Sequence, residues 1–238
     1  MSNIVIVESK NDRIFMQGMV EKLNCDIQVA SPIYIDDYQS LEGLSGTELT
    51  KALKNLERKI DRKDIEKIGI IIDIDNCSEQ ERLELVNKCI KQVFESKTLL
   101  STKQFIDICT KLGTSAKLAC YFTNVGGRGE LETLLKAIKA KDSPYADCLD
   151  SWKTCLESQG KEIKQKEFDK FWISNYIRFD TCSKDDRKQA GEKCSMSKFD
   201  YVMEHKKDIW DWDNPALDDL KEFFKLFCKN EKKNEIGG

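Results

Sequence analysis

The sequence predicts an α/β fold: a central, mostly parallel sheet flanked by helices, followed by a C-terminal helical extension. Three observations carry this. The runs Asn3-Ile4-Val5-Ile6-Val7-Glu8 and Ile68-Gly69-Ile70-Ile71-Ile72-Asp73-Ile74-Asp75 are β-branched and lack a helical period, so they read as buried strands of a parallel sheet. Between and after them, apolar residues recur at helical spacing. From about residue 141 strand-like runs stop altogether. The expected division is an α/β core over residues 1–140 and a helical extension over 141–238 packed upon it.

Each element follows in order. After Glu8, the polar stretch Ser9-Lys10-Asn11-Asp12 suits a turn that caps a helix carrying Phe15, Met16, Met19, Val20 and Leu23. Ile27-Gln28-Val29 is a short strand, and Ser31-Pro32 opens an irregular segment that ends in a loop over 41–46. Leu49, Leu53, Leu56 and Ile60 mark an amphipathic helix with a basic exposed face. The second long strand follows, then a helix from about 79 to 94. Two β-favouring runs, 105–110 and 117–122, flank Leu112-Gly113-Thr114-Ser115 and suggest a hairpin, with a helix as the alternative for the first run. The second leads through Asn124-Val125-Gly126-Gly127-Arg128-Gly129 into a helix beginning near Glu130. In the extension, Leu149, Trp152, Cys155 and Leu156, then Phe168, Phe171, Trp172, Tyr176 and Ile177, keep helical spacing. A charged loop is expected over 181–197 and a last helix over 217–227, with residues 229–238 frayed.

Composition narrows the function classes. Charged residues make up 34% and hydrophobic ones 40%, so a packed core with a highly charged surface is feasible. A net charge of -3 excludes a generally basic nucleic-acid binder, yet an acidic site and a separate basic groove can cancel. No apolar stretch reaches the ~20 residues that span a bilayer, and no charged leader precedes the first strand, so no membrane partner is expected and the expected compartment is the cytoplasm. Ten cysteines contain no Cys-x-x-Cys, and His205 is the single histidine. Reduced thiols are therefore expected rather than a zinc site, with pairing of Cys182 and Cys194 left open. The single histidine also argues against His-dependent nucleophilic catalysis.

Glu8, Asp73 and Asp75 stand at the C-terminal ends of predicted strands, where open α/β sheets place their ligands. Carboxylates gathered there repel one another unless a cation lies between them, and an all-oxygen set suits Mg²⁺ or Mn²⁺. Strand alternation sends Asp73 and Asp75 to one face and Ile74 to the other. The opposing expectation is that these acids merely cap the helices that follow. The glycine-rich turn at 126–129 lacks the Lys-Ser/Thr of a P-loop, which disfavours an NTPase.

Glu8-Ser9-Lys10-Asn11-Asp12, Asp73-Ile74-Asp75 and Gly129-Glu130-Leu131-Glu132, in that order, resemble the Toprim domain of topoisomerases, primases and OLD-type nucleases. They are most similar to a Toprim-like group related to the OLD nucleases, as is Trp212-Asp213-Asn214-Pro215-Ala216-Leu217. The resemblance implies a Rossmannoid core and a divalent-metal-dependent nuclease acting on DNA or RNA. In that reading Asp73 and Asp75 are metal ligands, and Glu8 is a ligand or a general acid or base. Glu132, Glu130 and Asp12 are further ligands, or serve helix N-termini instead. Lys10 neutralises phosphate charge or is an ordinary exposed lysine, and Arg128 stands between the same two readings. The resemblance also implies an antiviral effector held by an ATPase partner; oligomeric state is left open. The competing expectation is a non-catalytic binding module on the same fold. The lysines at 161, 164, 166 and 170 read by default as a solvated face, because Glu162 and Glu167 are interleaved with them.

Overall fold

The computed structural model of the protein describes residues 2–30 and 46–228. The irregular segment expected after Ser31 and the tail from 229 lie outside the described residues. Five strands, β1 (Ser2–Val7), β2 (Ile27–Val29), β3 (Ile65–Asp73), β4 (Ile106–Cys109) and β5 (Ser115–Thr123), form one sheet in the order β2-β1-β3-β5-β4. All neighbours are parallel except β4, which pairs antiparallel with β5 as the expected hairpin. From β1 the chain moves to the edge strand β2 on one side, and from β3 it moves to the edge strand β4 on the other side and returns through the hairpin to β5. The order therefore reverses between β1 and β3, and a crevice opens at their C-terminal ends.

Two apolar layers sandwich the sheet. On one face, α2 (Gly46–Asp61) and α3 (Glu79–Val93) bury Leu49, Leu53, Leu56, Val86 and Ile90 against Ile4, Ile6, Ile68, Ile70 and Ile72. On the other face lie α1 (Lys10–Leu23), α4 (Leu131–Ala137), α5 (Pro144–Ser158), α6 (Gln165–Asn175), α7 (Ala190–Lys193), α8 (Phe199–His205) and α9 (Asp218–Lys225). Their apolar residues share one cluster with Val5, Val7, Ile71 and Tyr121. The helical extension is thus packed on the sheet itself. Gly69 makes the contact possible: a Cβ there would stand 2.7 Å from Val5 Cγ2 and 3.1 Å from the Phe227 ring.

Three expectations are corrected. Cys25–Cys228 and Cys182–Cys194 are disulfides, so four of the ten cysteines are not reduced thiols. The first bridge spans 203 residues, a pairing that local Cys spacing cannot reveal. Such bridges are more usual in oxidising compartments than in the cytosol. Secondly, the charged stretch from 181 to 197 is not a plain loop. It forms a 3₁₀ turn over Asp186–Gln189 and the short α7, closed by the second disulfide. Thirdly, the apolar rhythm of α5 is only partly covered: Ala146 is the one buried residue along that helix, Leu149 packs on the core at its edge, and Trp152 and Cys155 are exposed. Among the described residues, no helix is long and apolar enough to cross a membrane.

Candidate functional site

The crevice between β1 and β3 is where the acids collect. Glu8 follows the last residue of β1, and its Oε2 accepts a hydrogen bond from the Asp73 N–H at 3.2 Å, so the two strand ends are tied side by side. Asp73 ends β3 and pairs in register with Thr123 of β5. Both follow the alternation of Ile71 and Tyr121, on the face covered by α1 and α4.

Helix N-termini bring the remaining acids. Ser9 caps α1, and Asp12, three residues on, accepts at its Oδ2 a hydrogen bond from the Ser9 N–H at 2.9 Å. Asp12 thus closes a capping box rather than being the N-cap itself. Its second oxygen is buried and unpartnered. Glu130 is the N-cap of α4 and Glu132 lies in its first turn. The turn before them is set by Gly129, whose φ of +100° disfavours any side chain and whose Cβ would strike Thr133 Oγ1 at 2.5 Å. Gly129 exchanges backbone hydrogen bonds with Asp75 at 2.9 and 3.1 Å, fastening the glycine corner to the end of β3.

Five acids thereby feel one another. Burial raises the carboxyl pKa of Asp73 well above its ordinary value, and the charges of Asp12, Glu8, Glu130 and Glu132 push it further. Burial likewise lifts Asp12 to about 7 against the hydrogen bond from Ser9, with Glu8 and Glu132 adding to the rise. Glu130 also reaches about 7, through burial and then Glu132, despite two nearby lysines. Glu8 and Glu132 are raised, in each case chiefly by burial. Asp12 Oδ1, Asp73 Oδ1, Glu130 Oε1 and Thr123 Oγ1 are all buried without a hydrogen-bond partner. Buried polar atoms are rarely left so, and a missing ion is one of the few reasons.

Asp75 is different. β3 ends at Asp73, and Asp75 takes a left-handed backbone (φ 53°), so strand alternation no longer governs it. Its carboxylate is clamped by Arg82 at 2.5 Å and Lys166 at 2.9 Å. Arg82 is itself buried and donates from Nε to the Ile74 carbonyl. Lys166 also reaches Glu130 at 2.9 Å, with Lys170 behind it at 3.8 Å. Burial opposes the Lys166 charge, but its bonds to Glu130 and Asp75 leave its pKa raised. Next to it, Asp169 is buried and accepts from Thr133 Oγ1 and Gln165 Nε2, both at 2.8 Å.

The structure therefore brings together Glu8, Asp12, Asp73, Glu130 and Glu132, with Asp75 at the margin. It does not bring Lys10, which is exposed and pairs with Asp200 at 3.8 Å, nor Arg128, which is exposed. Sequence reasoning missed Arg82, Lys166 and Asp169. Arg82 and Asp75 are seven residues apart across a βα turn. Lys166 sits in a lysine run with nothing local to say which member turns inward. Among the described residues, no three acids stand as a ready ligand set for one ion. The centre offers crowded negative charge and unpaired oxygen atoms, donors of the chemical kind that hard divalent cations take, without a preset ligand geometry.

No curated protein and no solved structure matches the chain. One family does, described as a protein of unknown function (DUF3226), and its match runs over residues 2–229, taking in the strand-end acids, the glycine corner and the helical extension alike. The chain belongs to the DUF3226 family.

Proposed function

We propose that the protein is a Mg²⁺- or Mn²⁺-dependent phosphodiesterase of the Toprim type that cuts DNA or RNA. The observation that carries this is the group of buried acids at the β1/β3 crevice, several with unpartnered oxygens. A resident divalent ion would supply positive charge to the phosphate and ease ionisation of water. Asp73, Glu8 and Asp12 would hold it, with Glu130 and Glu132 from the facing helix end. Glu8, its pKa raised, can hold or release a proton closer to neutrality than a surface glutamate. Lys166 carries a fixed positive charge to the rim of the centre, where phosphate oxygens would lie. Arg82 pins the Asp75 carboxylate just beyond the end of β3.

Purified protein incubated with single- and double-stranded DNA and with RNA, plus Mg²⁺ or Mn²⁺, tests this. Cleavage that disappears in Asp73→Ala is expected; no cleavage of any substrate, or equal cleavage by the variant, sinks it. Control by an ATPase partner belongs to the same proposal, and co-purification from the native cell checks it.

A second reading has its own support. Lys166 already neutralises Asp75 and Glu130 without any ion, and no three acids are preset as ligands. On this reading the fold is a non-catalytic binding module. Titration calorimetry separates the two: absence of Mn²⁺ binding favours the module.

A further inference from the structure

Arg82 and Lys166 both reach the acid centre, but they are built into it differently. Arg82 is buried, and while it holds Asp75 its Nε donates to the Ile74 carbonyl at 3.3 Å, so it is anchored to backbone. The Lys166 side chain is 31% exposed. Among the described residues its Nζ meets two carboxylate oxygens and nothing else, Asp75 Oδ1 and Glu130 Oε2, each at 2.9 Å. An ammonium group open to solvent therefore bridges two nearly buried acids.

The helix does not favour a cation at that position. Lys164 is the N-cap of α6, without a side-chain capping bond, and Lys166 lies in the first turn. Both stand at the positive end of the helix dipole, offset in that turn by Glu167 alone. What holds Lys166 comes from outside α6: the residue just beyond β3 and the N-cap of α4. The helix is secured without it. Asp169 accepts from Thr133 Oγ1 and from Gln165 Nε2, and Phe168 and Trp172 are buried in the core. Lys166 can thus swing on its flexible stem while α6 stays in place.

The bridge also decides where the acids point. Glu130 turns Oε2 to Lys166, with Lys170 at 3.8 Å, and leaves Oε1 buried without a partner. Asp75 has one oxygen on Lys166 and the other on Arg82. The Lys166 charge is felt at Glu8 and Glu132 as well. The ammonium therefore offsets part of the repulsion that an ion would offset. It does so from one flank, since Asp12 Oδ1 and Asp73 Oδ1 remain unpartnered. A divalent ion drawn to the same acids would meet Lys166 at Glu130, and two cations that close repel each other.

We propose that Lys166 is a tethered cation that closes the acid centre while no divalent ion is bound, and that it withdraws from Glu130 and Asp75 when one binds. The proposal rests on the divalent-ion part of the phosphodiesterase reading, and the exchange is measured without cleavage. The lysine steadies the empty centre and lowers its affinity for the ion by the fraction of time that it stands aside.

The experiment is calorimetric titration of the full chain with Mn²⁺, with thermal melts in EDTA, on wild type, Lys166→Gln, Lys166→Arg and Lys164→Gln. Lys166→Gln is expected to bind Mn²⁺ roughly five- to 150-fold more tightly than wild type and to melt lower in EDTA. Binding by Lys166→Gln where wild type shows none is the extreme form of the same result. Lys166→Arg keeps the charge and Lys164→Gln removes one that bridges nothing, so both should stay near wild type. In wild type, labelling of the Lys166 amine by reductive methylation, read by mass spectrometry, should be slow in EDTA and several-fold faster in Mg²⁺. Affinity in Lys166→Gln equal to or below that of wild type overturns the lock, and so does unchanged labelling in Mg²⁺. A gain matched by Lys164→Gln also overturns it, because the lysine would then act only through its distant field. If wild type binds Mn²⁺ and Lys166→Gln binds it no better, the lock falls and the metal reading stands. A gain in affinity without cleavage of any nucleic acid leaves the lock standing and removes the nuclease reading.

Discussion

The protein handles its acids in two opposite ways. At the 181–208 lobe, Asp186 is matched with Lys206 at 2.9 Å and Lys193 at 3.3 Å, and hydrogen bonds from Lys206 and Ser183 hold its carboxyl down to about 2. At the β1/β3 crevice, Asp73, Asp12 and Glu8 face one another, and burial drives their pKa values upward. The same chain thus pairs its carboxylates where they serve only the fold. Where they are left mutually repelling, the arrangement destabilises the protein and points to a job beyond folding.

The contrast can be broken most sharply at Asp73. Asp73→Asn is expected to lower the proposed nuclease activity by about 10²-fold or more while leaving or raising the melting temperature in the absence of metal. The neutral amide removes a buried charge that its neighbours repel. Asp186→Asn should do the opposite, lowering the melting temperature with cleavage unchanged. Parallel melting and cleavage assays on the two variants check both signs.

Next in size is the clamp on Asp75. Arg82→Ala is expected to cost about 2 kcal/mol in urea unfolding, because Asp75 then keeps only Lys166.

A pH series sharpens the comparison further. Asp12 and Glu130 titrate near 7 in the folded chain but near ordinary carboxylate values when unfolded. Between those limits the folded state binds more protons, so their contribution to stability is greatest at low pH and falls as pH rises from about 4 to 7. Chemical denaturation in EDTA should follow that slope. Added Mn²⁺ should offset it at pH 7–8, where the acids are ionised and the ion binds the folded state.

The smallest effect is expected at Lys10. It is exposed and paired only loosely with Asp200, so Lys10→Ala should shift stability by less than about 0.5 kcal/mol and leave Mn²⁺ affinity unchanged in calorimetry.

Much of this was legible before any coordinates. Runs such as Ile68–Ile74 point to buried strands because they are short, rich in β-branched residues and without a helical period, and the strand ends then place Glu8 and Asp73 in the crevice. Asp-x-Asp parity failed at Asp75 because alternation holds only while the backbone stays extended, and β3 stops two residues earlier. Lys166 was illegible for a different reason: its partners are supplied by segments 36 and 91 residues away. The Cys25–Cys228 bridge hid in the same manner. The exposed rings of α5 and α6 show the limit of periodicity. Helical spacing of apolar residues says that they share a face, not that another layer covers it.

Gly69 has a consequence beyond packing. Because it carries no side chain, the rings of Phe223 and Phe227 rest in a notch in the middle of β3. That notch lies four residues, about 13 Å of strand, below Asp73. The last helix is thus keyed into the strand that carries the central acid, and cannot tilt without pressing on it.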